Sequence, residues 1–252
     1  MLLRARVGSV VFNGLATTGF IIGPDGFVGW DDSTPTKRQL QPRSQAHGSF
    51  PQKGYRDVRT VVISGTCVAD SEQQLEWFGS QLTGLLSDGS MGTITVDHSG
   101  VTSFANCFVD GQPTFAMFGA GAAALFTAQF WCPDPRKFGT GNAYGPATAL
   151  TVFHYGNFAA APVLTIAGSM PSGYTITGPS EKVYTVTAAV TAAAPHTIDM
   201  STGYLTINGV IQTGVVTVGN TWTVAPGAQV AMTLTPVSGT GTLSATVTDT
   251  YV

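Results

Sequence analysis

Charge is what this sequence has least of. Only 10% of its 252 residues are Asp, Glu, Lys or Arg, and residues 1–137 hold 21 of those 25 charges. After residue 137 only Glu181, Lys182, Asp199 and Asp249 remain. A second half this poor in charge owes its solubility to hydroxyl groups and to attachment to something larger. The net charge of -3 gives no ground for binding nucleic acid or an anionic membrane through bulk electrostatics. Cysteine is also scarce. Cys67, Cys107 and Cys132 are an odd number, without CxxC or Cys/His spacing, and their apolar neighbours predict buried free thiols. No long apolar run is present. The most apolar stretch, 116–131, is interrupted by Gly119, Gly121, Thr127 and Gln129, too short and polar to cross a bilayer, so no membrane insertion is expected. Arg4 and Arg6 stand where a signal peptide needs an apolar core, which predicts synthesis in the cytoplasm. There is no internal repeat and no low-complexity tract.

The arrangements that carry chemistry are missing too. Asp97-His98-Ser99 contains the residue types of a hydrolase triad, but consecutive strand residues point to opposite faces and cannot converge; a polar hairpin turn is predicted instead. Gly119-Ala120-Gly121 lacks the third glycine and following acid of a dinucleotide fingerprint and reads as a flexible turn. His47, His98, His154 and His196 have no ligand partner at i+2 or i+4. Asp31-Asp32 is followed by Ser33, Thr34 and Pro35, which bring no further carboxylate at calcium-loop spacing. Glu181, Asp199 and Asp249 lie on three separated segments and make no glycosidase pair. No catalytic residue, metal or cofactor is predicted.

What is present is β structure. Val7–Phe12 and Gly19–Ile22 read as opening strands with a turn at Asn13-Gly14. Residues 58–68 form a strong strand with Val61, Ile63 and Cys67 on one face. A helix is expected over about 71–87. Asp70 or Ser71 caps it, Gln73 or Gln74 completes a capping box, and Leu75, Phe78, Leu82, Leu85 and Leu86 form its buried stripe. Asp88-Gly89 is expected to end it. Strands follow at 92–97 with Ile94 and Val96 inward, at 104–109, at 113–118, and at 125–132 with Phe126, Ala128 and Phe130 on one face. Before them, about 30–55 reads as a long polar loop. The charged stretch 31–59 carries Lys37, Arg38, Arg43, Lys53, Arg56 and Arg59 with Phe50 and Tyr55 among them, and it reaches a protein partner more readily than nucleic acid, given its Asp31, Asp32 and Asp57.

Pro133-Asp134-Pro135-Arg136 must break the ladder, since two prolines one residue apart continue neither strand nor helix. It divides the chain into residues 1–137 and 138–252, and Asp134 is expected to cap a turn or pair with Arg136. The second half alternates as strands only, at 150–155, 163–167, 183–190, 204–207, 230–234 and 243–247. Turn chemistry falls at Ser172-Gly173, 201–203, Asn208-Gly209 and Pro226-Gly227, the pattern of an antiparallel sandwich. Trp222 between Thr221 and Thr223 is the one residue there that suggests stacking on a sugar; packing is the stronger expectation.

Several segments in order resemble the distal tail protein family of long non-contractile-tailed, siphovirus-type bacteriophages. They are 54–65, the helix from Ser71, 131–139 (Trp-Cys-Pro-Asp-Pro-Arg-Lys-Phe-Gly), 155–157 with 161–168, and 198–204 with Asn208-Gly209. The resemblance implies a mainly β chain: an N-terminal β-barrel-like domain with one packed helix, then a galectin-like antiparallel β-sandwich. It implies a structural virion protein of the tail tip or baseplate and no enzyme. Six copies would close into a homo-hexameric ring, with a long arm reaching the neighbouring subunit. The ring would join the tail tube protein to the tail-tip hub and receptor-binding proteins, and DNA would pass through its channel. The chain departs from some members in lacking a large insertion in the sandwich, so no accessory carbohydrate-binding module is implied. Within that frame Trp30, Arg38, Arg43, Phe50, Tyr55 and Arg59 are candidate subunit contacts, because a ring needs two different complementary patches and often an arm. Pro133, Asp134, Pro135 and Arg136 are a candidate stiff joint. The alternative function is adhesion to host-wall carbohydrate through the sandwich.

Overall fold

In the computed structural model, residues 3–14, 18–119 and 122–252 are described. They form two compact units, residues 1–137 with Val252, and residues 138–251. The first unit runs β1 (Leu3–Val7), β2 (Val10–Phe12), β3 (Gly19–Val28), β4 (Thr36–Lys37), β5 (Tyr55–Arg56), β6 (Arg59–Val68), α1 (Glu72–Thr83), β7 (Gly92–His98), β8 (Val101–Met117) and β9 (Ala123–Cys132). Seven of these strands follow the order β8-β7-β1-β2-β3-β6-β9, and a further β8–β9 ladder closes them into a barrel.

The closure depends on β8. Its first part pairs with β7 from Val101 to Cys107, and its second part pairs with β9 from Phe108 to Met117. The register slips between Asp110 and Thr114, where Gly111 takes φ +67°. Residues 104–109 and 113–118, expected as two strands, are therefore one long bent strand: a bulge re-aims the ladder without ending it. The opening differs from expectation as well. The tight antiparallel turn is at Gly8-Ser9, and Asn13 instead bridges strands, its Oδ1 accepting from the Ile22 amide at 2.7 Å and its Nδ2 donating to the Leu3 carbonyl at 3.1 Å.

Alternation fills the barrel. Val61, Ile63 and Cys67, Ile94 and Val96, and Phe126, Ala128 and Phe130 all point inward and are buried. Phe20 anchors an aromatic cluster, its ring 5.1 Å from Phe126, 5.5 Å from Phe12 and 5.7 Å from Phe78. Helix α1 buries Leu75, Gly79 and Leu82 against this unit. Gly79 allows the approach, because a Cβ there would stand 2.8 Å from the Phe115 ring. Ser71 is the N-cap, its Oγ accepting from the Gln74 amide at 3.2 Å, while Gln74 Oε1 accepts from the Asp70 amide at 2.6 Å. The helix stops at Gly84, short of Asp88-Gly89, because the chain tightens into successive turns: the Leu85, Ser87 and Gly89 amides donate to the carbonyls of Leu82, Gly84 and Leu86.

The second unit is a β-sandwich. It contains β10 (Lys137–Ala147), β11 (Ala149–Val152), β12 (Val163–Ser169), β13 (Tyr174–Thr177), β14 (Val183–Val186), β15 (His196–Asp199), β16 (Tyr204–Ile207), β17 (Val210–Ile211), β18 (Val216–Gly219), β19 (Val230–Pro236) and β20 (Thr240–Tyr251). One layer follows the order β17-β16-β15-β12-β20-β10 and the other β11-β19-β13-β14-β18. Their facing side chains, among them Leu164, Ile166, Ile176, Val186, Leu205, Met232 and Leu243, make one core. β10, β13, β15, β17 and β18 do not stand out as strands in the sequence: Gly breaks the pattern of β10, and the others are only two to four residues long. The overall class, mainly β with a barrel, one helix and a sandwich, is the expected one.

All three cysteines are buried and free. Burial pushes the Cys67 and Cys107 thiols up to about 11 and Cys132 to about 12. Asp97-His98-Ser99 opens the β7–β8 hairpin: Ser99 and Gly100 take φ +56° and +87°, and the Asp97 carboxylate accepts from the Gly100 amide at 3.0 Å. Ala120 and Gly121 of the Gly-Ala-Gly turn lie outside the described residues. Among the described residues no helix is long and apolar enough to cross a membrane.

Candidate functional site

Beyond Trp30 at its root, the excursion between β3 and β6 adds no residue to either core. It was expected to lack structure, and it is a strapped hairpin arm. The chain leaves β3 through Gly29 (φ +86°), where a Cβ would strike the Thr60 carbonyl oxygen at 1.9 Å, so only glycine fits. β4 and β5 then pair, Thr36 with Arg56 and Lys37 with Tyr55. Farther out, Pro42 bridges Ser49; the Arg43 amide donates to Gly48 O at 3.1 Å and the Phe50 amide to Gln41 O at 3.0 Å. Arg56 Nη1 fastens the base, donating to Ser33 Oγ and the Thr34 carbonyl, each at 2.9 Å. Asp57 Oδ1 accepts from the Val58 amide at 2.9 Å and faces Lys37 Nζ at 3.5 Å. That amide, more than the lysine, holds the Asp57 carboxyl below its usual value.

Below the arm is a buried cationic root. Arg59 is 1% exposed. Its Nη1 donates to the carbonyls of Gly29 (2.6 Å), Trp30 (2.9 Å) and Asp32 (3.0 Å), and its Nε to that of Pro135 (3.0 Å). Lys137 Nζ donates to the Trp30 carbonyl at 2.6 Å and lies 5.4 Å from the Trp30 ring centre. Burial lowers the pKa of both cations; for Lys137 the nearby Arg59 adds to the effect, and Asp31 and Asp32 oppose it for both. The root is a structural lock: one guanidinium gathers the carbonyls of a departing loop that has no ladder to receive them.

Two of the six candidate contacts are therefore corrected. Trp30 is buried, and Arg59 points into the same unit, so neither side chain is presented to a neighbour. The sequence carried a signal for Arg59, which shares the odd, inward parity of Val61 and Ile63 on β6. Arg38, Arg43, Phe50 and Tyr55 do come together on the exposed arm. Arg43 lies 5.5 Å from the Phe50 ring centre, and Lys53 the same distance from that of Tyr55.

The Pro133–Arg136 loop joins β9 to β10. Asp134 accepts from the Arg136 backbone amide at 3.0 Å and from its Nη2 at 2.6 Å, with Nε 2.9 and 3.0 Å from the two carboxylate oxygens. These bonds, against an opposing effect of burial, hold the Asp134 carboxyl below its ordinary value. Trp222 takes the packed place that was the stronger expectation, and as a sugar-stacking candidate it is withdrawn. It is 3% exposed, its Nε1 donates to Met232 Sδ at 3.3 Å, and Gly178 lies against its ring. It packs the sandwich and offers no face to a sugar.

Acid–base machinery does not assemble around these groups. Among the described residues no three His, Cys, Asp or Glu side chains are grouped to hold a metal. A recess of about 430 Å³ between the opening strands and α1 is lined by Ser9, Phe20, Trp77, Phe78 and Gln81 among others, with Arg4 its one titratable side chain among the described residues.

No family model matches the sequence, and no curated protein matches it. Solved structures do. The SPP1 Dit protein, described as a paradigm of the hub adsorption apparatus in phages infecting Gram-positive bacteria, superposes with a TM-score of 0.78 at 14% identity, covering 100% of both chains. A chain of the phage P2 baseplate, in its activated conformation with Ca, gives 0.53 at 7% identity over 99% of this chain and 98% of that one. The corresponding structure with Sr gives 0.51 at 7% identity over 98% of each. From end to end, this chain has the fold of phage tail hub and baseplate proteins.

Proposed function

We propose that the chain is a structural protein of a phage tail tip, a virion component made in the host cytoplasm, and not an enzyme. Six copies close into a ring that joins the tail tube to the tail-tip hub and receptor-binding proteins and leaves a channel for DNA. The observation that supports this reading is the whole-length likeness to SPP1 Dit, with the fold matched end to end at a TM-score of 0.78. The exposed arm adds to it, since closing a ring uses one heterologous contact repeated, and a hairpin standing off the barrel is a ready donor for that contact. Pro133–Arg136, stiffened by two fixed φ angles and the Asp134–Arg136 fork, is proposed as the joint between ring domain and sandwich. Trp222, the residue singled out for adhesion, is buried, which weighs against that reading.

The test is the size of the purified chain, by light scattering and negative-stain images, beside a variant in which 38–54 is replaced by Asn-Gly. That cut keeps the Lys37–Tyr55 pair of the β4–β5 ladder and closes it with a two-residue turn. The intact chain is expected to form six-membered rings, and the trimmed chain to be a folded monomer. Rings from the trimmed chain would overturn the arm's role.

A further inference from the structure

The two signs of charge are segregated within the first unit. Residues 33–56 carry Lys37, Arg38, Arg43, Lys53 and Arg56 and no acid, whereas residues 60–135 carry seven acids and no Lys or Arg. Among the described residues, Arg38, Arg43 and Lys53 have no ion-pair partner, and neither have Asp70, Glu72 and Glu76. These three acids sit at the start of α1. Asp70 and Glu72 gain from the helix dipole there, but Glu76, a turn further on, does not. Glu72 and Glu76 share one exposed face at i, i+4, and Gln73 and Trp77 stand beside them in the same spacing. Trp77 is 57% exposed on an otherwise polar helix face, and it borders an open recess of about 530 Å³ lined with Asp70, Ser71, Gln73 and Gln74. The arm offers the counterpart: unpaired cations with exposed Leu40, Phe50 and Tyr55 between them. An aromatic group beside acids and a strip of apolar groups beside cations make a complementary pair of patches, whose charges have no ion pair among the described residues.

We propose that the acidic face of α1, with Glu72, Glu76 and Trp77 at its centre, is the landing surface for the 33–56 arm of a second copy of this chain. The inference rests on the ring reading above and names the two faces of its repeated contact. Arg38 and Arg43 meet Glu72 and Glu76, and Phe50 covers Trp77. Assembly is then salt-sensitive, because most of these charges are exposed and screened.

Charge reversal tests it on the full chain. E72K/E76K and R38E/R43E should each lose rings, shifting the assembly midpoint at least about tenfold in protein concentration. Unchanged circular dichroism and denaturant midpoints would show that both variants fold. The fourfold swap on one chain should restore rings. Mixing the two double variants should restore rings in which the variants alternate, since the arm of each then meets a face of opposite charge on the other. The conservative pair E72Q/E76Q should weaken assembly without reversing the charge. Rings from either double variant at the wild-type midpoint would overturn this inference and leave the ring reading intact. A wild-type chain that is monomeric even at low salt would overturn the ring reading itself. Loss of binding to a DNA duplex by R38E/R43E, with ring assembly unaltered, would assign the arm to nucleic acid and overturn the proposal.

Discussion

Arg59 decides how the arm is held. Burying a cation is costly unless its donors find acceptors, and here four backbone carbonyls accept from Nη1 and Nε, while Nη2 has no partner among the described residues. Arg59→Met removes the charge and strands those acceptors together, a loss of about 3 kcal/mol or more. Urea titration is expected to show that loss, and limited proteolysis is expected to show faster cleavage within 31–58 than elsewhere. His196 plays a comparable part in the sandwich. It is buried, its Nε2 is 3.2 Å from the Ala189 carbonyl and its Nδ1 is 3.1 Å from the Tyr174 hydroxyl. Burial lowers its pKa below the ordinary 6.5. The unfolded chain then binds a proton that the native chain refuses. Stability contributed by the neutral ring is whole above pH 6.5 and declines as pH falls from there towards the native value. Denaturant midpoints measured from pH 8 to pH 5 should drop, and His196→Gln should flatten that part of the slope. The Asp57 and Asp134 shifts act below the ordinary aspartate value of 3.8 and fall outside this window. Arg59's inward parity was readable from β6; its carbonyl partners, 27 to 76 residues away, were not.

At the scale of elements, local rules succeeded where a local interaction is the cause. The Ser71 cap and the stripe of Leu75 and Leu82 locate α1 because both follow from spacing within two turns. Ser71→Ala should cost about 1 kcal/mol, with helix content and the thermal midpoint falling together. Local rules failed at β8. Gly111, Gln112 and Pro113 look like a turn between two strands, yet the strand passes through them, because partners on both sides, β7 and then β9, hold it in the sheet. They failed again for the arm. Its Pro and Gly content matches a loop, while its pairing comes from Arg56 reaching back across 20 residues or more to Ser33, Thr34 and Thr36.

For the whole molecule, the arm is a separable part. It contributes no residue to the buried core beyond Trp30 at its root. The chain trimmed at 38–54 should therefore unfold at the wild-type urea midpoint while losing assembly. A midpoint that fell with the deletion would make the arm a stabilising element of the barrel. The charge asymmetry belongs to this scale as well: a basic arm and an acidic helix on one unit favour contact between copies in a head-to-tail sense, which is what a ring requires.

The sequence by itself determined the β class, the inward faces of the strong strands, the single helix and its cap, the burial of three thiols and the poverty of charge after residue 137. Each follows from periodicity or composition over a few residues. Only the tertiary structure decided that the barrel closes through one bent strand, that Trp30, Arg59 and Trp222 are enclosed, and that Arg38, Arg43, Phe50 and Tyr55 share a strapped arm. Those outcomes depend on partners far away in the chain. Whether a side chain is covered is settled by what folds over it, which no local pattern contains.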